Sequence, residues 1–133
     1  MKSILFNEKI TENNYADFVE QLVNVFRLSS FERSILFSLK FEKTICIIQL
    51  SILNQDGNRQ EYEEVHVDSS ESFFNDFLEH MVSAFRNHCE IVKEDIVNLD
   101  NDHYVAFRMI TKYNDLITMD GLTESQANCF LRG

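Results

Sequence analysis

The residues best suited to chemistry in this chain are its carboxylates, its four histidines and its three cysteines. The histidines (His66, His80, His88 and His103) show no H-x-x-x-H spacing and the cysteines form no C-x-x-C pair, so the sequence predicts no metal site. His88 and Cys89 are neighbours, but consecutive residues at a helix end point in different directions. A cysteine–histidine nucleophile is therefore not expected.

The sequence also lacks the common motifs of phosphate and acyl transfer. The chain has three glycines in 133 residues, and they form no G-x-x-x-x-G-K or G-x-G-x-x-G phosphate loop and no G-x-S-x-G elbow. The acidic runs near Asp56 and Asp100 lack the ligand spacing of a calcium loop. We therefore predict a protein that is not an enzyme and carries no cofactor.

The carboxylates are concentrated in two segments. Residues 56–76 contain seven acids and one base, and residues 90–102 contain five acids and one base. Such segments suit a docking face for a basic protein, and charged side chains also keep the edge strands of a sheet from aggregating. The acids predicted to contact a partner are Asp56, Glu61, Glu63, Glu64, Asp68, Glu71, Glu94, Asp95, Asp100 and Asp102.

The overall charge favours a protein partner. The chain has 22 acidic and 12 basic residues, a net charge of −10, which repels nucleic acid and anionic membrane surfaces. At 133 residues and 44% apolar, it is expected to form a single domain, 1–133, with a hydrophobic core. The odd number of cysteines predicts no disulfide framework, and with the short N-terminal apolar run it predicts a cytoplasmic protein. The protein is expected to be a monomer or a homodimer.

Apolar periodicity predicts the elements that position these acids. Residues 12–28 and 71–88 are amphipathic helices, and Thr123-x-x-Gln126 has the capping-box spacing that begins a short helix over 123–131. Asp120-Gly121 is predicted to be a turn. Strands are predicted over 2–6, 33–41, 44–53, 59–67, 91–99 and 103–113. Because 44–53 is apolar on both parities, we expect it to be a central strand that is covered on both faces, at least at one end.

The two longer helices share a sequence pattern. Tyr15 to Arg27 and Phe74 to Arg86 are identical at six of thirteen positions. This similarity predicts a strand-helix-strand-strand duplication over residues 2–54 and 59–114. The expected fold is α+β, in which an antiparallel sheet carries the two equivalent helices on one face, plus the short C-terminal helix.

The element order leaves three function classes open. Counted with its first strand, the order resembles the duplicated modules of small-molecule effector-binding domains, which implies a cleft between the repeats that Tyr62, Tyr104 and Phe107 could line. Counted without that strand, it is similar to acidic type III secretion chaperones, which are dimers that bind a secreted effector. The acidic segments and missing catalytic motifs favour a third class, an immunity or inhibitor protein that neutralises a basic toxin or nuclease.

Overall fold

The chain combines three helices with one sheet in the computed structural model, which describes residues 2–27, 32–70, 72–98 and 104–130. The elements in chain order are α1 (Tyr15–Arg27), β1 (Ser34–Glu42), β2 (Ile45–Leu53), β3 (Arg59–Glu61), β4 (Val65–Asp68), α2 (Phe73–His88), β5 (Ile91–Val97), β6 (Tyr104–Thr111), β7 (Leu116–Thr123) and α3 (Glu124–Phe130). The predicted α+β class is confirmed.

The seven strands form one mostly antiparallel sheet. Its order is β3-β2-β1-β7-β6-β5, and β4 also pairs with β2. β3 and β4 share one position, since β3 pairs with residues 51–53 and β4 with residues 45–48 of the same strand. The pair β1–β7 is parallel, and it joins the first half of the chain to the second.

All three helices pack on one face of the sheet, because only that face is continuously apolar. Leu50, Phe37, Met119 and Phe107 occupy one row across four neighbouring strands, and all four are fully buried. Phe37 contacts both longer helices, and the Phe107 ring lies 5.4 Å from the ring of Phe130 on α3. This row is the floor of the core.

The two helices of similar sequence lie side by side and run in the same direction. The Phe18 and Phe77 rings, equivalent in the sequence comparison, have centroids 5.9 Å apart, and those of Phe26 and Phe85 are 5.3 Å apart. The predicted placement of both helices on one face of the sheet is thus confirmed. The duplication itself is not confirmed and stays a prediction.

Three strand predictions need correction. The strand predicted over 59–67 is divided into β3 and β4, and residues 62–64 lie between them. Residues 2–6 form no regular strand; Ser3 makes one isolated parallel bridge to Tyr62, and Ile10 makes another to Val67. β2 is not covered on both faces, because Ile45 and Ile47 remain partly exposed on the side away from the helices. We call this uncovered side of the sheet the open face.

The predicted turn at Asp120-Gly121 is wrong, since both residues lie within β7. The register of β6 against β7 shifts between Val105 and Ala106, so the glycine is the extra residue of a β-bulge. Gly121 has φ +98°, and an added Cβ would lie 2.1 Å from the Leu39 backbone oxygen. Glycine is required here both for its positive φ and for this close approach.

A buried ion pair fixes the junction of β1 with the β6–β7 turn. The Arg33 guanidinium donates to both carboxylate oxygens of Asp115 and to the Phe26 carbonyl at the end of α1. Both charged residues are buried, and the arginine backbone N–H also donates to the same carboxylate at 3.0 Å. Since each charge is paired and hydrogen-bonded, the core tolerates it at this point.

We predict that Gly121→Ala destabilises the fold far more than Gly57→Ala. Gly57 also has a positive φ, +88°, but nothing lies within 4 Å of a Cβ added to it. Gly57→Ala should cost about 1 kcal/mol of unfolding free energy for the backbone strain alone. Gly121→Ala adds a clash with backbone and should cost roughly 3 kcal/mol or more.

Urea unfolding followed by circular dichroism measures both values. Equal losses for Gly121→Ala and Gly57→Ala would contradict the close approach of β7 to β1.

Candidate functional site

Exposed carboxylates line the outer edge formed by β3 and β4. Tyr62, Val65 and Val67 point into the core and are buried, so the residues between them face solvent. We call this surface the acidic edge, and its members are the exposed Glu8, Asp56, Glu61, Glu63 and Glu64 and the partly buried Asp68. Five of the six are residues that the sequence predicted to contact a partner.

The N-terminal segment lies along this edge and forms a groove with it. The Ser3 N–H donates to the Glu61 carbonyl at 3.1 Å, the Glu63 N–H donates back to the Ser3 carbonyl at 2.7 Å, and the Ile10 N–H donates to the His66 carbonyl at 2.8 Å. An open groove of about 360 Å³ lies between the segment and the β3–β4 link.

The lining of this groove is both apolar and acidic. Ile4 is 64% exposed, and Phe6 lies beside it, half-buried. The carboxylates of Glu8, Glu63 and Glu64 complete the lining, together with the basic side chain of Lys9 and with His66. The groove therefore offers negative charge beside accessible apolar surface.

Local contacts hold some of these carboxylates. Asp56 accepts hydrogen bonds from the N–H and side-chain amide of Asn58. Asp68 accepts from the hydroxyl and N–H of Ser70, and these hydrogen bonds lower its pKa, with Lys9 contributing. By contrast, Glu61 and Glu63 are exposed and form no salt bridge with a described residue.

The second acidic segment lies at the other end of the sheet. Glu94 and Asp95 belong to β5, five strand positions from β3, a separation of roughly 24 Å at about 4.8 Å per strand. The other three acids that the sequence predicted to contact a partner fall outside the described residues, and they are Glu71 of the first segment and Asp100 and Asp102 of the second. The two segments therefore do not form one continuous surface.

The three described acids of that second segment are already in ion pairs, Glu90 with Lys112 and the two acids of β5 with arginines. Arg86 donates to both carboxylate oxygens of Glu94 at 2.7 Å, and the same guanidinium donates to the Phe130 carbonyl. Arg108 donates to both oxygens of Asp95 at 2.9 and 2.7 Å. These carboxylates stabilise the contacts of β5 within the chain and are less available to a partner.

A third set of acids was not predicted as a site. These residues are exposed on or next to the three helices, and they are Glu12, Asp17, Glu20, Asp76, Glu79 and Glu124. On the helix surfaces that the structure describes, Arg86 is turned toward β5 and no lysine is present. Two of these acids recur at equivalent positions of the two similar helices, as Asp17 and Asp76 and as Glu20 and Glu79, which is the sequence signal for this surface.

The aromatic residues expected in a cleft do not come together. Tyr62 is buried beside β2, Phe107 is buried against α3, and Tyr104 is 47% exposed on the β6 strand. Because α1 and α2 are in ring contact, they leave only an open groove on their outer side, about 550 Å³, with small residues such as Ala16 and Ala84. None of the three predicted aromatic residues lines this groove.

The described residues contain no group of three metal-ligating side chains and no helix long and apolar enough to cross a membrane. Cys46 is buried, and burial raises the pKa of its thiol to about 12, so it is no nucleophile at neutral pH. Comparison with known protein families, characterised proteins and solved structures finds no match to this chain.

We predict that the Arg108–Asp95 pair makes stability depend on pH. The arginine hydrogen bonds lower the pKa of Asp95 below its ordinary value of 3.8. A lowered folded-state pKa stabilises the fold above the unfolded value, and this contribution is lost as pH falls through the folded value. Arg108→Gln should therefore cost about 1 kcal/mol at neutral pH, and less at about pH 2, where Asp95 becomes protonated.

Urea unfolding of wild type and Arg108→Gln at both pH values measures the difference. Lys40→Gln is the matched control, because the Lys40–Glu42 pair is highly exposed and its loss should change little at either pH. A cost of Arg108→Gln that is the same at both pH values would show that this ion pair does not carry the stabilisation.

Proposed function

We propose that this chain is a non-catalytic, acidic protein-binding module that acts as an immunity or inhibitor protein and neutralises a basic toxin or nuclease. The observation that carries the proposal is the acidic edge, where exposed carboxylates border an open groove with apolar lining. Arginine and lysine side chains of a basic partner fit such a groove, since their charged ends pair with carboxylates while their aliphatic stems cover Ile4 and Phe6.

The net charge of −10 supports rapid association with a basic partner. Complementary charge raises the rate at which two proteins meet and disfavours partners of like charge. Toxin neutralisation benefits from this, because the inhibitor must reach its target before the target acts. The same charge disfavours direct binding to nucleic acid.

The acidic edge is preferred to the carboxylates of β5 because its acids are more available. Glu61 and Glu63 are exposed and in no salt bridge with a described residue, whereas Glu94 and Asp95 are bound to arginines. None of the three cysteines is in a disulfide, which supports a reducing compartment such as the cytoplasm as part of the proposal.

The proposal predicts that charge reversal on the acidic edge abolishes tight binding to the partner. The edge variant carries Glu61→Lys, Glu63→Lys and Glu64→Lys. The matched helix variant carries Asp17→Lys, Glu20→Lys and Asp76→Lys, and so has the same net charge. If the edge is the docking surface, only the edge variant should raise the dissociation constant, by roughly a hundredfold or more.

Candidate partners are basic proteins that the tagged chain retains from its native cells at low salt and releases at high salt. Each is then purified, and its toxic or nuclease activity is titrated with wild type and both variants. Stoichiometric inhibition that the edge variant alone loses supports the proposal. Equal effects of the two variants would leave only non-specific charge attraction, and retention of no basic protein would reject the function.

A secretion chaperone is the second candidate, and the open face favours it. Partly exposed apolar side chains lie there on four strands, and they are Leu36, Ile45, Ile47, Leu53, Ile110 and Leu116. An extended, unfolded segment of a secreted protein could pack on such a surface.

This candidate predicts a different dependence on mutation. Leu36→Ser together with Leu53→Ser, the two residues that are each 37% exposed, should then reduce partner binding at least roughly tenfold, and high salt should not. Isothermal titration of each purified partner at two salt concentrations measures this. Loss of binding with the edge variant and not with the serine variant would exclude the chaperone.

A further inference from the structure

β5 is an end strand of the sheet that no other described strand covers on its outer side. It pairs with β6 alone, and the strand order ends there. The other end of the sheet is protected, since residues 2–10 lie along β3 and β4. An uncovered edge strand presents unpaired backbone N–H and C=O groups, which folded proteins either block or pair with another strand.

The sequence of β5 is complementary to itself when the strand is reversed. It reads IVKEDIV. In an antiparallel pair of two copies centred on Glu94, each Lys93 lies opposite Asp95 of the second copy, and each Val92 lies opposite Ile96 of the second copy. Opposite charges and paired apolar side chains at directly opposed positions stabilise an antiparallel pair.

The carboxylate on the two-fold axis is neutralised within its own chain. Glu94 would face Glu94 of the second copy, and unpaired like charges there would oppose the contact. Arg86 holds each carboxylate with two hydrogen bonds of 2.7 Å, so each copy brings its own cation to the axis.

The charges at the centre of β5 are balanced, although the chain as a whole is acidic. Around the central three residues, each copy has three cations and two carboxylates: Lys93, Arg86 and Arg108, and Glu94 and Asp95. Two copies with a net charge of −10 each can therefore approach through this edge with the least repulsion. A dimer through the acidic edge would instead bring like charges together.

The exposed apolar residue of the strand lies at the end of the self-complementary segment. The register of β5 against β6 shifts between Ile91 and Lys93, which places an irregularity at Val92. This side chain is 65% exposed, and Ile96 is partly exposed. Antiparallel pairing of two copies would cover Val92 and Ile96 of each copy, because a two-fold contact forms each pair of opposed residues twice.

Three successive charges in an edge strand usually prevent pairing with other strands. In β5, the order of the three charges allows pairing with one partner, a second copy of the same chain. A strand that places apolar or like-charged residues opposite Lys93 and Asp95 is disfavoured, whereas a second copy pairs the lysine and the aspartate reciprocally. The pattern thus disfavours general aggregation and selects the same chain.

We propose that this chain forms a two-fold symmetric dimer by antiparallel pairing of β5 with β5 of a second copy, centred on Glu94. The two sheets then become one continuous sheet. Because the two-fold axis stands perpendicular to that sheet, both helix layers lie on the same side, and both acidic edges lie at the outer ends. The inference is independent of the proposed function.

The test uses the full chain and two variants of β5, which change the charges of the strand in opposite directions. We call them the β5 variants. The acid variant is Lys93→Glu. The base variant is Asp95→Lys with Arg108→Glu, which retains an ion pair within the chain. Each variant alone places like charges opposite one another and should raise the dimer dissociation constant roughly tenfold or more. An equimolar mixture restores opposite charges at both pairs of positions 93 and 95 and should recover the wild-type dimer.

Sedimentation equilibrium over a concentration series measures the mass, and circular dichroism verifies that each variant is folded. Lys40→Glu is the control, because it makes the same charge change at an exposed residue of β1 and should leave the dimer intact. If a variant fails to fold, Val92→Lys replaces it, since this residue is exposed, and it should also weaken the dimer.

The proposal is supported if each β5 variant alone dimerises more weakly than wild type and the mixture of the two dimerises as wild type does. Three results would overturn it. Wild type could be monomeric at every concentration, the β5 variants could dimerise as wild type does, or the mixture could fail to recover the dimer.

Discussion

The contact of Phe37 with Phe26 and Phe85 is the constraint on which the arrangement of the fold depends. The Phe37 ring, on β1, lies 5.9 Å from the first and 5.7 Å from the second, and the two helix rings are 5.3 Å apart. Three elements from distant parts of the sequence therefore meet at one point. Since the next strand position beyond β1 is β7, this cluster also lies over the junction of the two halves of the sheet.

A sheet covered on one face leaves the molecule with surfaces of different character. The helix side and the acidic edge are charged, the open face is mixed polar and apolar, and β5 combines balanced charges with Val92 exposed. The two ends of the sheet differ most, because an N-terminal segment covers one end and no described strand covers the other. The binding surface proposed for a different protein is therefore separate from the one proposed for a second copy.

Much of the fold was predictable because its signals are local. The apolar spacing in α1 and α2 predicted both helices, and the capping box at Thr123 was correct in detail: its N–H binds the Gln126 side chain and its hydroxyl accepts from the Gln126 N–H. The strand β7 was missed because Gly121 was interpreted as a turn, whereas it makes a bulge inside a strand. Both uses need a positive φ, so the residue type alone does not distinguish them.

The candidate site was less predictable, because ion pairing depends on tertiary structure. Glu94 and Glu63 are alike in sequence, yet the first is bound by Arg86 from a neighbouring helix and the second faces solvent. The positions of Glu61 and Glu63 followed from alternation about the buried Tyr62. The groove beside them did not, since it requires the N-terminal segment to lie along the edge.

The position of β7 has a consequence for the order of folding. β7 follows every other strand in the chain, yet it occupies the middle of the sheet between β1 and β6. During synthesis, the hairpin of β1 and β2 and the hairpin of β5 and β6 can form early, because their contacts are local. The two halves cannot join until residues 116–123 are available. Until then the inner edges of β1 and β6 stay open, so the nascent chain is most prone to mispairing at its future centre.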